Sequence, residues 1–291
     1  MLWNECHHSA HGPKHDWSRG HPPCTASVHR KTGLVTSDIY ALTADQYAAR
    51  FEQIQMVLSD IDIRAIKIGM LFDVANTKAV VRSIQKHYSS SSLKPPIICD
   101  PVCVSTSGHT LLHPEALDVL ISDLFPLTTI ITPNKSEAET LLSQRGFPTS
   151  INTLEEMMSA VNQMILAFAS HAVLLKGGHI NVTTQDIKRL LEVKQDVQVI
   201  NHGPTEENME ILLAGEKTRG VEIEPQLVVD VLQERKGGTT LFVRPRIDST
   251  STHGTGCTLS AAIACALTQG STCVSFCAFH HELQLKGESS N

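Results

Sequence analysis

Apolar positions along this chain switch repeatedly between two periods. From Thr43, the residues Tyr47, Phe51, Ile54, Leu58 and Ile61 recur at helical spacing, and Thr43 with Gln46 makes a capping box at the start. The next stretch, 64–70, is short and rich in β-branched residues, and predicts a strand. Helical spacing returns over 73–88, 113–124, 135–143 and 153–170. Short apolar runs at 96–99, 128–132 and 172–176 predict strands between those helices. Two further strands, 228–232 and 240–243, are expected as a hairpin around Lys236-Gly237-Gly238. A final helix is expected over about 257–267, beginning at Cys257.

Strands alternating with helices imply an α/β fold with a mostly parallel central sheet and helices on both faces. Ligands in such sheets sit at the carboxyl ends of the strands. The residues just after each strand therefore carry the functional reading. Outside this pattern, residues 1–24 have no period and are rich in His, Gly and Pro, and are expected to be a disordered or foreign leader. Their His and Cys spacing is too irregular for a zinc site. Residues 181–226 mix charge, Gly and Pro with a weak amphipathic piece near 206–214, and read as a surface insertion. Residues 25–291 are expected to form a single domain around it.

Composition narrows the class. The chain has 291 residues, is 41% hydrophobic, and carries a formal net charge of −6. A sizeable core is possible, and general affinity for nucleic acid or an anionic membrane is not expected. Aromatics at 4% leave little for base stacking. Of the eight cysteines, no two form a C-x-x-C pair, so reduced thiols and a cytoplasmic location are expected. The most apolar stretch, 259–279, is interrupted by 268–272 and makes a poor membrane span.

Polar residues cluster after the expected strands: Asp100-Pro101-Val102, Thr132-Pro133-Asn134-Lys135-Ser136-Glu137, and Lys176-Gly177-Gly178-His179. The sharpest motif is His253-Gly254-Thr255-Gly256-Cys257-Thr258, which leads into a helix of small residues. Glycines on either side of Thr255 let successive N–H groups converge, and the helix start adds its positive end. This is an anion hole fit for a phosphoryl group. A thiol at such a position, that of Cys257, is expected to have a lowered pKa. Phosphoryl transfer also needs carboxylates for Mg²⁺ and a cation for the phosphates. Asp100, Glu137 and Lys176 are candidates. Each has a plainer reading: a turn start, a solvated helix residue, a surface lysine. Their shared position after strands of one sheet favours the functional reading. The P-loop, protein-kinase and dinucleotide fingerprints are absent.

KIGML (67–71), DPVCVSTSGHTLLHPEAL (100–117), TIITPNKSEAETLL (129–142), VLLKGGH (173–179) and PRIDSTSTHGTGCTLSAAIA (245–264) resemble the hydroxymethylpyrimidine and phosphomethylpyrimidine kinases of thiamine biosynthesis. The resemblance covers roughly 40–270. It implies a ribokinase-like three-layer sandwich. It also implies ATP- and Mg²⁺-dependent phosphorylation of 4-amino-5-hydroxymethyl-2-methylpyrimidine, then of its monophosphate. By motif, Cys257 takes the catalytic position, and Gly254, Thr255 and Gly256 hold the transferring phosphoryl group. Asp100 and Glu137 organise Mg²⁺, Lys176 and Thr132 meet the nucleotide phosphates, and Met70 and Val102 line the pyrimidine pocket. The partners implied are small molecules, with a homodimer as the assembly.

The chain departs from the family pattern at both ends. The family's opening strand with its Gly-Ser-Asp turn and its Ala-Gln-Asn-Thr segment do not appear, and 271–291 do not resemble the family's closing helices. A catalytically impaired, truncated family member acting as a binding protein is therefore one expectation. A pyridoxal-type kinase of the same superfamily is another, and an oxidoreductase resting only on Gly-Thr-Gly a third.

Overall fold

The structure, a computed structural model, describes residues 30–31, 34–35, 44–60, 62–89, 94–103, 112–147, 150–201, 226–246 and 255–273. The expected leader at 1–24, the amphipathic piece at 206–214 and the Thr43 cap lie outside these residues.

The elements follow the alternation read from the sequence. A two-residue pair, β1 (Arg30–Lys31) and β2 (Leu34–Val35), precedes α1 (Ala44–Asp60), β3 (Ile66–Ile68), α2 (Val74–Tyr88) and β4 (Ile97–Cys99). Next come α3 (Pro114–Val119), β5 (Ile130–Ile131), α4 (Lys135–Ser143), α5 (Leu154–Phe168) and β6 (Ala172–Leu175). The chain continues through α6 (Thr184–Val193), β7 (Val197–Asn201), β8 (Leu227–Glu234) and β9 (Thr239–Pro245) to a last helix, here α7 (Thr255–Thr268). The seven-stranded sheet has the order β3-β4-β5-β6-β8-β9-β7. Strands β3 to β6 run parallel, β6–β8 and β8–β9 are antiparallel, and β7 joins the edge parallel to β9. The expected hairpin is β8–β9, with its turn at 235–238.

Alternate strand residues feed two cores. Ile97, Cys99, Ile131, Val173 and Leu175 join the cluster built with α1 to α6. Ile98, Ile130, Ala172 and Leu174 join the cluster on the opposite face, where α7 packs with Leu259 and Ile263. Burial on both faces explains why these strands read as unbroken apolar runs.

Local chemistry sets the ends. In α5, Thr153 and Glu156 form a capping box, and Ala169 closes the helix in the left-handed region at φ 56°. The helix expected over 113–124 is instead α3, followed by a π turn, Leu120–Leu124, and a 3-10 turn, Phe125–Leu127. Pro126 has no amide hydrogen to continue an α-helix, so the chain tightens there.

Two sequence expectations change. Residues 181–201, read as part of an insertion, supply α6 and the edge strand β7. Val197–Asn201 pairs fully with β9, a partner 42 residues away at Val197↔Thr239, which no local pattern reveals. Cys265 is disulfide-bonded, whereas Cys99, Cys103, Cys257 and Cys273 are free. Spacing along the chain does not report which sulfurs approach in space. Among the described residues, no helix is long and apolar enough to cross a membrane.

Candidate active site

The parity of the strands decides which polar residues meet. Cys99 and Ile131 face the large core, so the next residues, Asp100 and Thr132, turn toward the α7 side. Lys176 has the parity of Ala172 and Leu174 and faces the same way. All three stand at the carboxyl edge of the sheet. The β5 and β6 extensions stay in register, since Asn134 bridges Lys176 and the Lys176 N–H donates to the Pro133 carbonyl at 2.9 Å.

The Lys176 ammonium lies 2.9 Å from Asp100 Oδ1 and 3.9 Å from Glu137 Oε2. The Thr132 hydroxyl donates to the same Asp100 oxygen at 3.3 Å. Asp100 and Glu137 are 1% and 3% exposed. Glu137 is therefore no solvated helix residue, and Lys176, its side chain 16% exposed, is no surface lysine.

Glu137 has a second task. It sits at the third position of α4, where Asn134 Oδ1 accepts from its N–H at 2.9 Å and its own Oε2 accepts from the Asn134 N–H at 2.7 Å. The sequence Asn134-Lys-Ser-Glu137 carries this capping box openly, and it fixes the carboxylate at the sheet edge.

Burial pushes Glu137 up to about 7, with Asp100 adding to the rise and Lys176 and the Asn134 amide opposing it. Burial alone would lower Lys176, but Asp100 and Glu137 outweigh it and hold the ammonium above the ordinary lysine range. Lys176 is thus a firm cation, bonded to Asp100, and Glu137 is a carboxylate that takes a proton easily.

Helix α7 brings the anion-hole loop to this group. A Cβ on Gly256 would lie 2.9 Å from Lys176 Nζ and 3.9 Å from Asp100 Oδ2, so the missing side chain leaves room for the pair. Cys257 is exposed at the start of α7, with the charges of Asp100, Lys67 and Lys176 acting on its thiol. The expected lowering of its pKa is not found. Burial of the sulfur and the negative charge of Asp100 raise it, against the opposing pull of Lys67 and Lys176. Thr255 is the first residue of α7, its side chain undescribed, and Gly254 lies outside the described residues.

Met70 and Val102 are half-buried just beyond β3 and β4. Val102 is turned by its N–H bond to the Asp100 carbonyl at 2.8 Å. Phe72, two residues past Met70, holds a positive φ of 72°, and its carbonyl accepts from His113. Such a backbone in a bulky residue is a local strain held by its surroundings.

Sequence reading passed over Lys67, Asp230 and Arg244. A Cβ on Gly69 would lie 2.9 Å from Lys67 Nζ, so this side chain runs along β3 toward the carboxyl edge, where its charge reaches Cys257. The signal was present in the i, i+2 spacing of Lys67 and Gly69.

The donor set bears on a metal. Among the described residues, no group of three or more His, Cys, Asp and Glu assembles. Two buried carboxylates and a threonine hydroxyl do stand around one ammonium. Hard oxygen donors in that number fit Mg²⁺ delivered with phosphates, which keeps waters and needs only one or two carboxylates.

Known proteins share this chain's sequence and fold. The family model for phosphomethylpyrimidine kinase matches residues 36–210 and 205–276. A hydroxymethylpyrimidine/phosphomethylpyrimidine kinase of Salmonella typhimurium is 32% identical over 240 residues, covering 82% of this chain and 68% of its own length. The crystal structure of phosphomethylpyrimidine kinase from Clostridium difficile superposes with a TM-score of 0.56 at 24% identity, over 87% of this chain and 80% of that one. A pyridoxal kinase from Staphylococcus aureus in complex with AMP-PCP gives a TM-score of 0.57 at 20% identity, over 90% of this chain and 72% of that one. The fold is thus that of the ribokinase-like kinases, and the chain belongs to the phosphomethylpyrimidine kinase family.

Proposed function

We propose that this chain is a phosphotransferase that moves the γ-phosphoryl group of ATP to 4-amino-5-hydroxymethyl-2-methylpyrimidine, and then a second one to the monophosphate. The observation that carries the reading is the Lys176–Asp100 pair at 2.9 Å with Gly256 of α7 packed against it. Family membership supplies the substrate class. ATP follows from kinase chemistry, and the Staphylococcus aureus relative of the same fold is solved with AMP-PCP.

The residues divide the work. Lys176, with Thr132 beside it, faces the nucleotide phosphates, and the amides of Gly254, Thr255 and Gly256 receive the transferring phosphoryl group. Asp100 and Glu137 would hold Mg²⁺, which would neutralise charge developing on the phosphate oxygens. Met70 and Val102 line the acceptor pocket. In the transfer, the hydroxymethyl oxygen bonds to the γ-phosphorus, the bridge to the β-phosphate breaks, and ADP leaves. A loose transition state asks little of a base, so the hydroxyl proton departs late, relayed by the Cys257 thiol, which gives its own proton to the Asp100 carboxylate. Residues 25–291 act in this reading as one kinase domain, in a cytoplasmic homodimer.

A coupled assay of the purified chain with the pyrimidine alcohol, ATP and Mg²⁺ tests the proposal. Formation of ADP matched to pyrimidine mono- and diphosphate is expected. ADP formation with pyridoxal but not with the pyrimidine would overturn the substrate, and nucleotide binding without transfer would overturn the activity.

A further inference from the structure

Beyond the last paired residue of β6, three strands converge on one turn. Leu175 pairs with Val231, and the chain leaves the ladder at Lys176. A Cβ on Gly177 would lie 1.8 Å from the Val229 carbonyl oxygen, so the turn runs hard against the backbone of β8. The Gly177 N–H donates to Oδ1 of Asp230 at 2.7 Å. Asp230 is 2% exposed, and Arg244 Nη2 on β9 stands 3.7 Å from its other oxygen. On the opposite side, the Lys176 N–H is held by Pro133. The backbone that launches Lys176 is therefore clamped from both neighbouring strands.

A carboxylate is a costly occupant of such a position. Leu232, two residues along β8, shows what packing alone would select, since it is fully buried in the α7-side core. We infer that Asp230 is a positioning residue for phosphoryl transfer, whose carboxylate fixes the Gly177 amide and so aims Lys176 at Asp100 and the nucleotide phosphates. The inference rests on the reading of Lys176 given above. It requires an oxygen acceptor at 230 more than a charge. Asparagine retains that acceptor and alanine does not.

Calorimetry on the full chain tests it with Mg²⁺·AMP-PCP and, separately, the pyrimidine alcohol. Asp230→Ala is expected to weaken Mg²⁺·AMP-PCP by on the order of 10- to 100-fold, the usual effect of removing a group that orients a site residue. Pyrimidine affinity should stay at its wild-type value, and Asp230→Asn should recover most of the nucleotide loss. Equal weakening of both ligands, or wild-type nucleotide affinity in Asp230→Ala, would overturn the inference and leave the kinase reading standing. Failure of the wild-type chain to bind Mg²⁺·AMP-PCP would overturn both. If Asp230→Ala does not fold, Asp230→Asn carries the test with amide exchange at Gly177. Slow exchange with near-wild-type nucleotide affinity is expected, and fast exchange with unchanged affinity would sink the idea.

Discussion

Lys176 stands closer to Asp100 than to Glu137, 2.9 Å against 3.9 Å, and that inequality sets the character of the site. The near carboxylate is tied to the ammonium. The far one keeps most of its burial penalty. Replacing Lys176 with Met would leave two buried carboxylates facing each other. Breaking a buried pair this way costs about 3 kcal/mol or more. Chemical denaturation should show that loss at neutral pH and its partial recovery in acid, as one carboxylate takes a proton. Phosphoryl transfer should fall by on the order of 10²-fold or more, as for other lost charge-stabilising donors.

Glu137 predicts a pH signature. Its pKa in the folded chain is pushed from an ordinary 4.5 to about 7, so the folded state holds a proton that the unfolded state has released. Its contribution to stability is full below about 4.5 and is lost as pH rises through about 7. The stability of the wild type minus that of Glu137→Gln should therefore decline between acid and mildly alkaline pH. Urea melts of both proteins across that range measure the difference. A difference that grows with pH would contradict the assigned environment.

Cys257 should react slowly for an exposed thiol. Its pKa is raised by burial of the sulfur and by Asp100. Cys103 and Cys273 are buried, with thiols pushed up to about 12 and about 11. Among the four free described cysteines, iodoacetamide should label Cys257 first, at a rate that climbs with pH through the alkaline range. Asp100→Asn removes the opposing charge and should speed labelling at neutral pH. Peptide mass mapping over time reads both effects.

Gly256 leaves room that a methyl group would take. Gly256→Ala places Cβ 2.9 Å from Lys176 Nζ, and the flexible lysine end must shift to make room. A misplacement of this size costs on the order of 10²-fold in rate. Thermal melting should change little, because the displaced atom is a side-chain terminus. Steady-state turnover alongside calorimetric melting separates the two.

Ala169 offers a stabilising change away from the site. It closes α5 at φ 56°, a conformation that costs a Cβ-bearing residue about 1–2 kcal/mol. Ala169→Gly relieves that cost, less the extra freedom glycine gains when unfolded, for a net gain of about 0.5–1 kcal/mol. Denaturant midpoints with an unchanged slope would verify it.

Much of the site was legible because the strands are short and two-sided. Each apolar run ended in a polar residue, and in a parallel sheet those ends share an edge. Asp100, Thr132, Glu137 and Lys176 were found that way. Cys257 was found through its glycine-flanked loop, but its pKa was read in the wrong direction. The helix start is local and visible in the chain, whereas Asp100 lies 157 positions earlier and its proximity is not. Asp230 was missed because one aspartate inside an apolar strand resembles a break in the pattern until its amide partner is seen.

Local periodicity determined α1, α2, α4, α5 and α7, the strands β3 to β6 and the β8–β9 hairpin, because contacts at i+2 or i+3 and i+4 are written into neighbouring residues. Tertiary structure decided the rest. It placed β7 at the far edge, set Lys176 against a carboxylate 76 positions away, and raised the pKa of Glu137 by burying it. Those outcomes depend on strand order and burial. Both arise only when the two sheet faces close against their helices, and no segment of the chain carries that information alone.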